Sequence, residues 1–132
     1  MPRRALAAYD APMNDFSAYD DISAAVTVCD ARGIVLYMNP ASAAMLNKRG
    51  GASLVGKSLF ECHNDVSNEM IRELIAQDRS NIYATERPGK KTIVYQSPWY
   101  LKADEEGAAK RVGGLVEISF QTPDPLRVVK RG

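Results

Sequence analysis

The sequence is short of the residues that most often carry chemistry: its 132 positions hold one histidine, two cysteines and one tryptophan. The two thiols, Cys29 and Cys62, make no disulfide framework. Without a secretory leader they read as reduced cysteines of a cytoplasmic chain. No leader is expected, because Tyr9, Asp10 and Asn14 break up the apolar residues behind Arg3-Arg4. Two cysteines and His63 also fall short of a four-ligand structural zinc site unless carboxylates help. No apolar run approaches the ~20 residues that cross a bilayer, so no membrane partner is expected. An excess of one charge is lacking as well, with 17 Lys and Arg against 16 Asp and Glu and a net charge of +1. The basic residues are scattered, apart from short clusters at Arg3-Arg4 and Lys130-Arg131. That argues against a nucleic-acid surface, which concentrates them. No internal repeat and no low-complexity tract is present.

What is present suits one globular domain with its own core: 45% of the residues are hydrophobic and 25% charged. Residues 1–12 mix Pro, Ala and charge without a period and read as a flexible arm. Met13, Phe16, Tyr19 and Ile22 then recur every third residue, which predicts an amphipathic helix over 13–24. The period changes at Ala24–Asp30, "AAVTVCD", a β-branched strand that stops at the turn signal Asp30-Ala31-Arg32-Gly33. Ile34–Met38, "IVLYM", predicts a second strand antiparallel to the first.

Asn39-Pro40 opens a helix that ends near Asn47, since Asn caps free N–H groups and Pro suits the first helical position. A longer helix is predicted over about Val66–Gln77, with Val66, Met70, Ile71, Leu74 and Ile75 inward and Asn68, Glu69, Arg72 and Glu73 toward solvent. Three hairpin-joined strands follow: Asn81–Arg87, Lys90–Tyr100 and Arg111–Phe120. The Pro-bearing tail 123–132 ends the chain. The order of elements predicts an α+β domain, one five-stranded antiparallel sheet with short helices on one face and the N-terminal helix on or near the other.

Catalytic motifs do not hold up against their chemistry. Cys62 and His63 are adjacent in "GKSLFECHN", and neighbours in sequence point in different directions, so they make a poor nucleophile–base pair. Gly51-Ala52-Ser53-Leu54-Val55-Gly56-Lys57-Ser58 matches a phosphate loop by letters. That loop leaves a parallel strand and starts a long helix, whereas this stretch follows a short helix and enters an apolar turn.

The stretch Val26–Leu46, "VTVCDARGIVLYMNPASAAML", resembles the PAS sensor domain. It has an apolar strand ending in Asp, Gly before the next strand, and Tyr37 two residues ahead of Asn39. "LVGKSLFECH" (Leu54–His63) is similar to the family's Val-Gly-Lys segment. "GGLVEIS" (Gly113–Ser119) resembles its last strand, with Glu117-Ile118-Ser119 where Asp-Ile-Thr is usual. The resemblance covers roughly residues 20–120 and implies one PAS domain over 13–122, with its core at 25–120.

The resemblance implies a cup between sheet and helices. Thr27, Cys29, Tyr83, Val94, Gln96 and Leu115 look into it from the strands, and Phe60 and His63 complete the candidate pocket. Flavin-based light sensing is not implied. The family's Gly-x-x-Cys falls on Gly56-Lys57-Ser58-Leu59, where Leu59 replaces the thiol. Haem-binding members supply an axial histidine from the long helix, whose stripe here has none. His63 precedes that helix, so the expectation is no cofactor, with haem or a metal on His63 as the alternative. The function implied is a non-catalytic sensory or interaction module, a homodimer with a small-molecule ligand or a signalling protein as partner. A fragment of a sensor kinase or transcription regulator is the other reading, and the absence of a helical lever after Phe120 favours a stand-alone protein. The opposite sheet face (Val26, Val28, Ile93, Tyr95, Val112, Val116, Ile118) is apolar, which is the basis for the homodimer.

Overall fold

The computed structural model describes residues 15–61, 65–101 and 110–132. Five strands, β1 (Ala25–Asp30), β2 (Val35–Met38), β3 (Asn81–Arg87), β4 (Lys90–Leu101) and β5 (Arg111–Thr122), form one antiparallel sheet in the order β2-β1-β5-β4-β3. Two α-helices, α1 (Pro40–Met45) and α2 (Asp65–Gln77), lie with three 3₁₀ turns between the second and third strands. The β1–β2 turn is held by Asp30, whose Oδ1 accepts from the N–H groups of Arg32 (2.8 Å) and Ile34 (3.0 Å). Gly33 takes φ +83° there, and a Cβ on it would strike the Phe60 ring at 2.5 Å. Glycine therefore answers both the turn and the close packing.

Asn39 fastens three segments together. Its Oδ1 accepts from the N–H of Ser42, capping α1, and from the N–H of Val26, both at 2.9 Å. Its Nδ2 donates to the carbonyls of Tyr19 (2.9 Å) and Ala24 (2.8 Å). The residue is 0% exposed, so these bonds are made away from water.

The register sorts side chains into rows on the helix-covered face. Asn81, Gln96, Glu117, Thr27 and Met38 stand opposite one another across all five strands. One step along, Tyr83, Val94, Ser119 and Ala25 form a second row, and Pro98, Leu115, Cys29 and Val35 form a third on the other side. Cys29 and Leu115 meet Ile71 and Leu74 of α2 in the core, with Leu59, Phe60, Met70 and Ile75 partly buried against it.

Two expectations require correction. The helix over 13–24 is only a 3₁₀ turn, Ser17–Tyr19, within the described residues; Met13 lies outside them. Asn39 claims the carbonyls of Tyr19 and Ala24, and Tyr37 donates its hydroxyl to Asp20 Oδ1. The segment is therefore tied down by contacts distant in sequence. Phe16 sits between Tyr37 and Trp99, with ring centroids at 5.7 and 5.9 Å. The second correction is the facing of α2: Asn68 is buried and Val66 is 79% exposed. The helix is turned so that Asn68 Nδ2 donates to the Phe60 carbonyl at 2.8 Å, which offsets the burial of that half of the amide, while its Oδ1 is buried without a hydrogen-bond partner among the described residues. The tail 123–132 is neither helix nor strand and is exposed.

On the outer face, cover declines from β1 toward the β3 edge. Val26 and Val28 are fully buried, with Tyr37 opposite Val28 on β2, whereas Ile82 is 67% exposed and Phe120 44%. Trp99 lies over Gly113, where a Cβ would come within 2.5 Å of the indole.

Candidate functional site

Between the sheet and the helical block lies a cavity of about 60 Å³, room for a few waters or a small organic molecule. The sheet contributes Thr27, Cys29, Gln96, Leu115 and Glu117 to its floor, and β2 adds Val35 and Met38. The helical side contributes Leu46, Leu54, Leu59 and Ile71, and Arg49, Lys57 and Ser58 bring polar groups. A mostly apolar cup with a few polar groups is the usual composition of a small-ligand site.

The register explains which expected residues stand here. Thr27 and Gln96 belong to the Asn81–Met38 row, and Cys29 and Leu115 to the row beside it; all four line the cavity. Tyr83 and Val94 are not among its lining residues, which corrects their assignment. They face the same way but lie two residues farther along their strands, about 7 Å. There Met45 of α1 overlies the row, its Sδ accepting from Ser119 Oγ at 3.5 Å. Tyr83 is 43% exposed on the edge strand. Phe60 is likewise outside the lining: its ring packs on Gly33 and carries the Arg72 guanidinium 4.2 Å from its centroid. His63 and Cys62 lie outside the described residues. Among the described residues no group of three or more His, Cys, Asp or Glu is placed to hold a metal ion.

Polar groups on the floor are arranged in one direction. Asn81 Nδ2 donates to Gln96 Oε1, and Gln96 Nε2 donates to Glu117 Oε1, each at 3.0 Å. An ionised carboxylate only accepts, which fixes the orientation of both amides. Burial pushes the Glu117 carboxyl above its ordinary pKa, and the bond from Gln96 opposes this only in part. Thr27 Oγ1 is bonded to Ser42 Oγ of α1, so that helix is tied to the floor. Burial pushes the Cys29 thiol up to about 12, so it is a neutral packing group.

Glu117 lines the cavity but is absent from the pocket expected from the sequence. It was visible as part of the last-strand motif, and it shares the parity of Leu115 two residues away. That alternation was the available signal.

A family profile described as PAS fold matches residues 19–96. None of the curated proteins compared matches the chain. Similar solved structures include VqmA bound to DPO, at TM-score 0.61 and 14% identity over 86% of this chain and 58% of that one. A Vibrio cholerae VqmA dimer in the absence of target DNA matches at TM-score 0.61 and 14% identity over 92% of this chain and 56% of that one. This chain thus spans a little over half the length of VqmA. A Vibrio cholerae receptor described as a dual PAS–haem oxygen sensor matches at TM-score 0.53 and 18% identity, covering 74% of this chain and 93% of that one. At such identities the likeness concerns the fold. With the profile spanning more than half of the residues and the helix-backed sheet it describes in place, the chain belongs to the PAS fold family.

Proposed function

We propose that this chain is a non-catalytic sensory module that binds a small molecule in the cavity over the Thr27–Gln96–Glu117 row. The observation that carries this reading is the cavity itself, apolar on most sides and polar along one row of the sheet. The reading assigns no resident haem or flavin. Its signal passes through two links already on the floor: Thr27 bonds Ser42 of α1, and α1 is capped by Asn39, which also holds the N-terminal segment. VqmA, described with bound DPO, supports a ligand-binding use of this fold.

The test is an NMR screen of the ¹⁵N-labelled chain against small organic molecules. Shifts should gather at Thr27, Cys29 and Leu115, and Leu54→Trp, which fills the cavity, should abolish them. Shifts that never include these residues would refute the site. The visible spectrum of the purified chain should be featureless; a Soret band lost in His63→Ala would replace this reading with a haem sensor.

The module is further proposed to act as a homodimer through the open part of its outer face. Ile82, Tyr95, Ile93 and Phe120 adjoin there on strands β3 to β5, and burying exposed apolar surface gains about 25 cal/mol per Å². A VqmA structure is described as a dimer. Light scattering should give twice the chain mass, and Ile82→Asp should give a folded monomer. A monomeric unmodified chain at high micromolar concentration would refute the assembly.

A further inference from the structure

We propose that Glu117 recognises a small amine, an ammonium group on a short apolar body, seated in this cavity. The inference rests on the ligand-site reading above and names the ligand class. Three observations lead to it.

The first is direction. The amide donors of Asn81 and Gln96 both point toward Glu117, so the row ends on a group that only accepts. On the other side of Glu117 stands Thr27, whose hydroxyl is engaged with Ser42. Oε1 of Glu117 accepts from Gln96, while its second oxygen has no hydrogen-bond partner among the described residues. It is not among the sealed, unsatisfied atoms either. That oxygen is accessible, and Glu117 lines the cavity, so a ligand seated there can reach it.

The second is charge. None of the ion pairs among the described residues involves Glu117. Glu117 is half-buried; a carboxylate partly removed from water without a counter-charge is disfavoured, and one hydrogen bond to a neutral amide offsets this only in part. An ammonium ion supplies both the missing charge and a charge-assisted hydrogen bond to the open oxygen. A neutral alcohol supplies only a hydrogen bond, and a carboxylate ligand would be repelled. The third is the surrounding surface: Val35, Met38, Leu46, Leu54, Ile71 and Leu115 enclose the space with hydrocarbon, which suits a short alkyl body.

Other titratable or charged groups near Glu117 fit this assignment. Cys29 on the floor and Tyr83 in the next row are both pushed up, mainly by burial, so neither offers Glu117 a charge near pH 7. Lys57 and Arg49 border the cavity from the helical side; both are exposed, and Arg49 has an interaction of its own. They make an anionic ligand the natural competitor, and the test includes it.

Isobutylammonium, isobutanol and isobutyrate share one carbon skeleton and differ in the polar group. Each is titrated into the ¹³C,¹⁵N-labelled chain, and the Glu117 carboxyl carbon shift is followed with pH. Isobutylammonium should bind with shifts at Thr27, Gln96 and Glu117, at least tenfold more tightly than the other two. Its affinity should fall as pH drops through the Glu117 titration, because protonation removes the charge. Glu117→Gln should lose that preference by at least tenfold, and Glu117→Asp should retain the preference for the cation. Should Glu117→Gln not fold, the pH titration of the unmodified chain decides alone. Isobutanol or isobutyrate binding in the cavity as tightly as the amine overturns the amine assignment and leaves the cavity a ligand site. Amine binding unchanged by protonation or by Glu117→Gln overturns it equally. Binding by none of the three overturns it too, and the broader screen then decides the site itself.

Discussion

Replacing Asn39 by alanine should be among the most damaging single changes outside the apolar core. The side chain is 0% exposed and makes four hydrogen bonds. Losing an N-cap costs about 1 kcal/mol. The Val26 N–H, on a fully buried strand residue, loses its acceptor, and an unsatisfied buried donor costs about 1–3 kcal/mol. The carbonyls of Tyr19 and Ala24 lie nearer the surface and can turn to water, so they add little. The sum is about 2–4 kcal/mol, a large part of the 5–15 kcal/mol of a typical domain. Urea unfolding followed through Trp99, the only tryptophan, should show a lower midpoint with an unchanged slope.

Two further variants separate the contributions. Asn39→Ser keeps a capping hydroxyl and should recover about 1 kcal/mol. Asn39→Asp caps as well as asparagine but sets a carboxylate oxygen against two carbonyls in a buried place. It should therefore be as destabilising as alanine at pH 7. Burial raises that carboxyl in the folded state, so its penalty is present above the unfolded pKa and fades as pH falls below it. A cost below about 1 kcal/mol for Asn39→Ala, or a stable Asn39→Asp at neutral pH, would refute the idea that these bonds hold the segments together.

Leu74→Ala should cost about 2–5 kcal/mol, since Leu74 is 0% exposed in the core; Val66→Ala on the same helix, at 79% exposure, should stay within about 0.5 kcal/mol. In a Cys62→Ser background, a thiol reagent should label Cys29 only as fast as the protein opens, because its thiol is buried and pushed up to about 12. Glu117→Gln should raise the stability of the unliganded protein at neutral pH. A carboxyl whose folded pKa is raised lowers stability as pH climbs from the unfolded pKa to the folded one, so the gain should vanish in acid; a gain independent of pH would exclude desolvation as the cause. Gly113→Ala should cost about 1–3 kcal/mol by overpacking and shift Trp99 emission, because the added carbon meets the indole.

Elements whose causes are local were legible in the sequence. Period-2 runs placed all five strands to within a residue or two, Asn39-Pro40 marked the start of α1, and Asp30 with Gly33 marked the turn before β2. Alternation also assigned Thr27, Cys29, Gln96 and Leu115 to one face, because side chains on a strand can point only two ways. Tertiary structure decided everything that depends on height above the sheet or on a partner far away in the chain. Tyr83 and Val94 share the parity of the cavity residues yet sit in the next row, and only the placement of α1 over that row separates them. The period of Met13, Phe16, Tyr19 and Ile22 favoured a helix, but Asn39, Tyr37 and Trp99, all distant in sequence, bind the described part of that segment as a 3₁₀ turn followed by bends. Asn68 turned inward because the Phe60 carbonyl waits there, a contact that helical periodicity cannot express. Glu117 became a half-buried carboxylate because β4 brought Gln96 beside it and the cavity formed over both. A strand pattern fixes which face a side chain takes, and only packing fixes what it meets there.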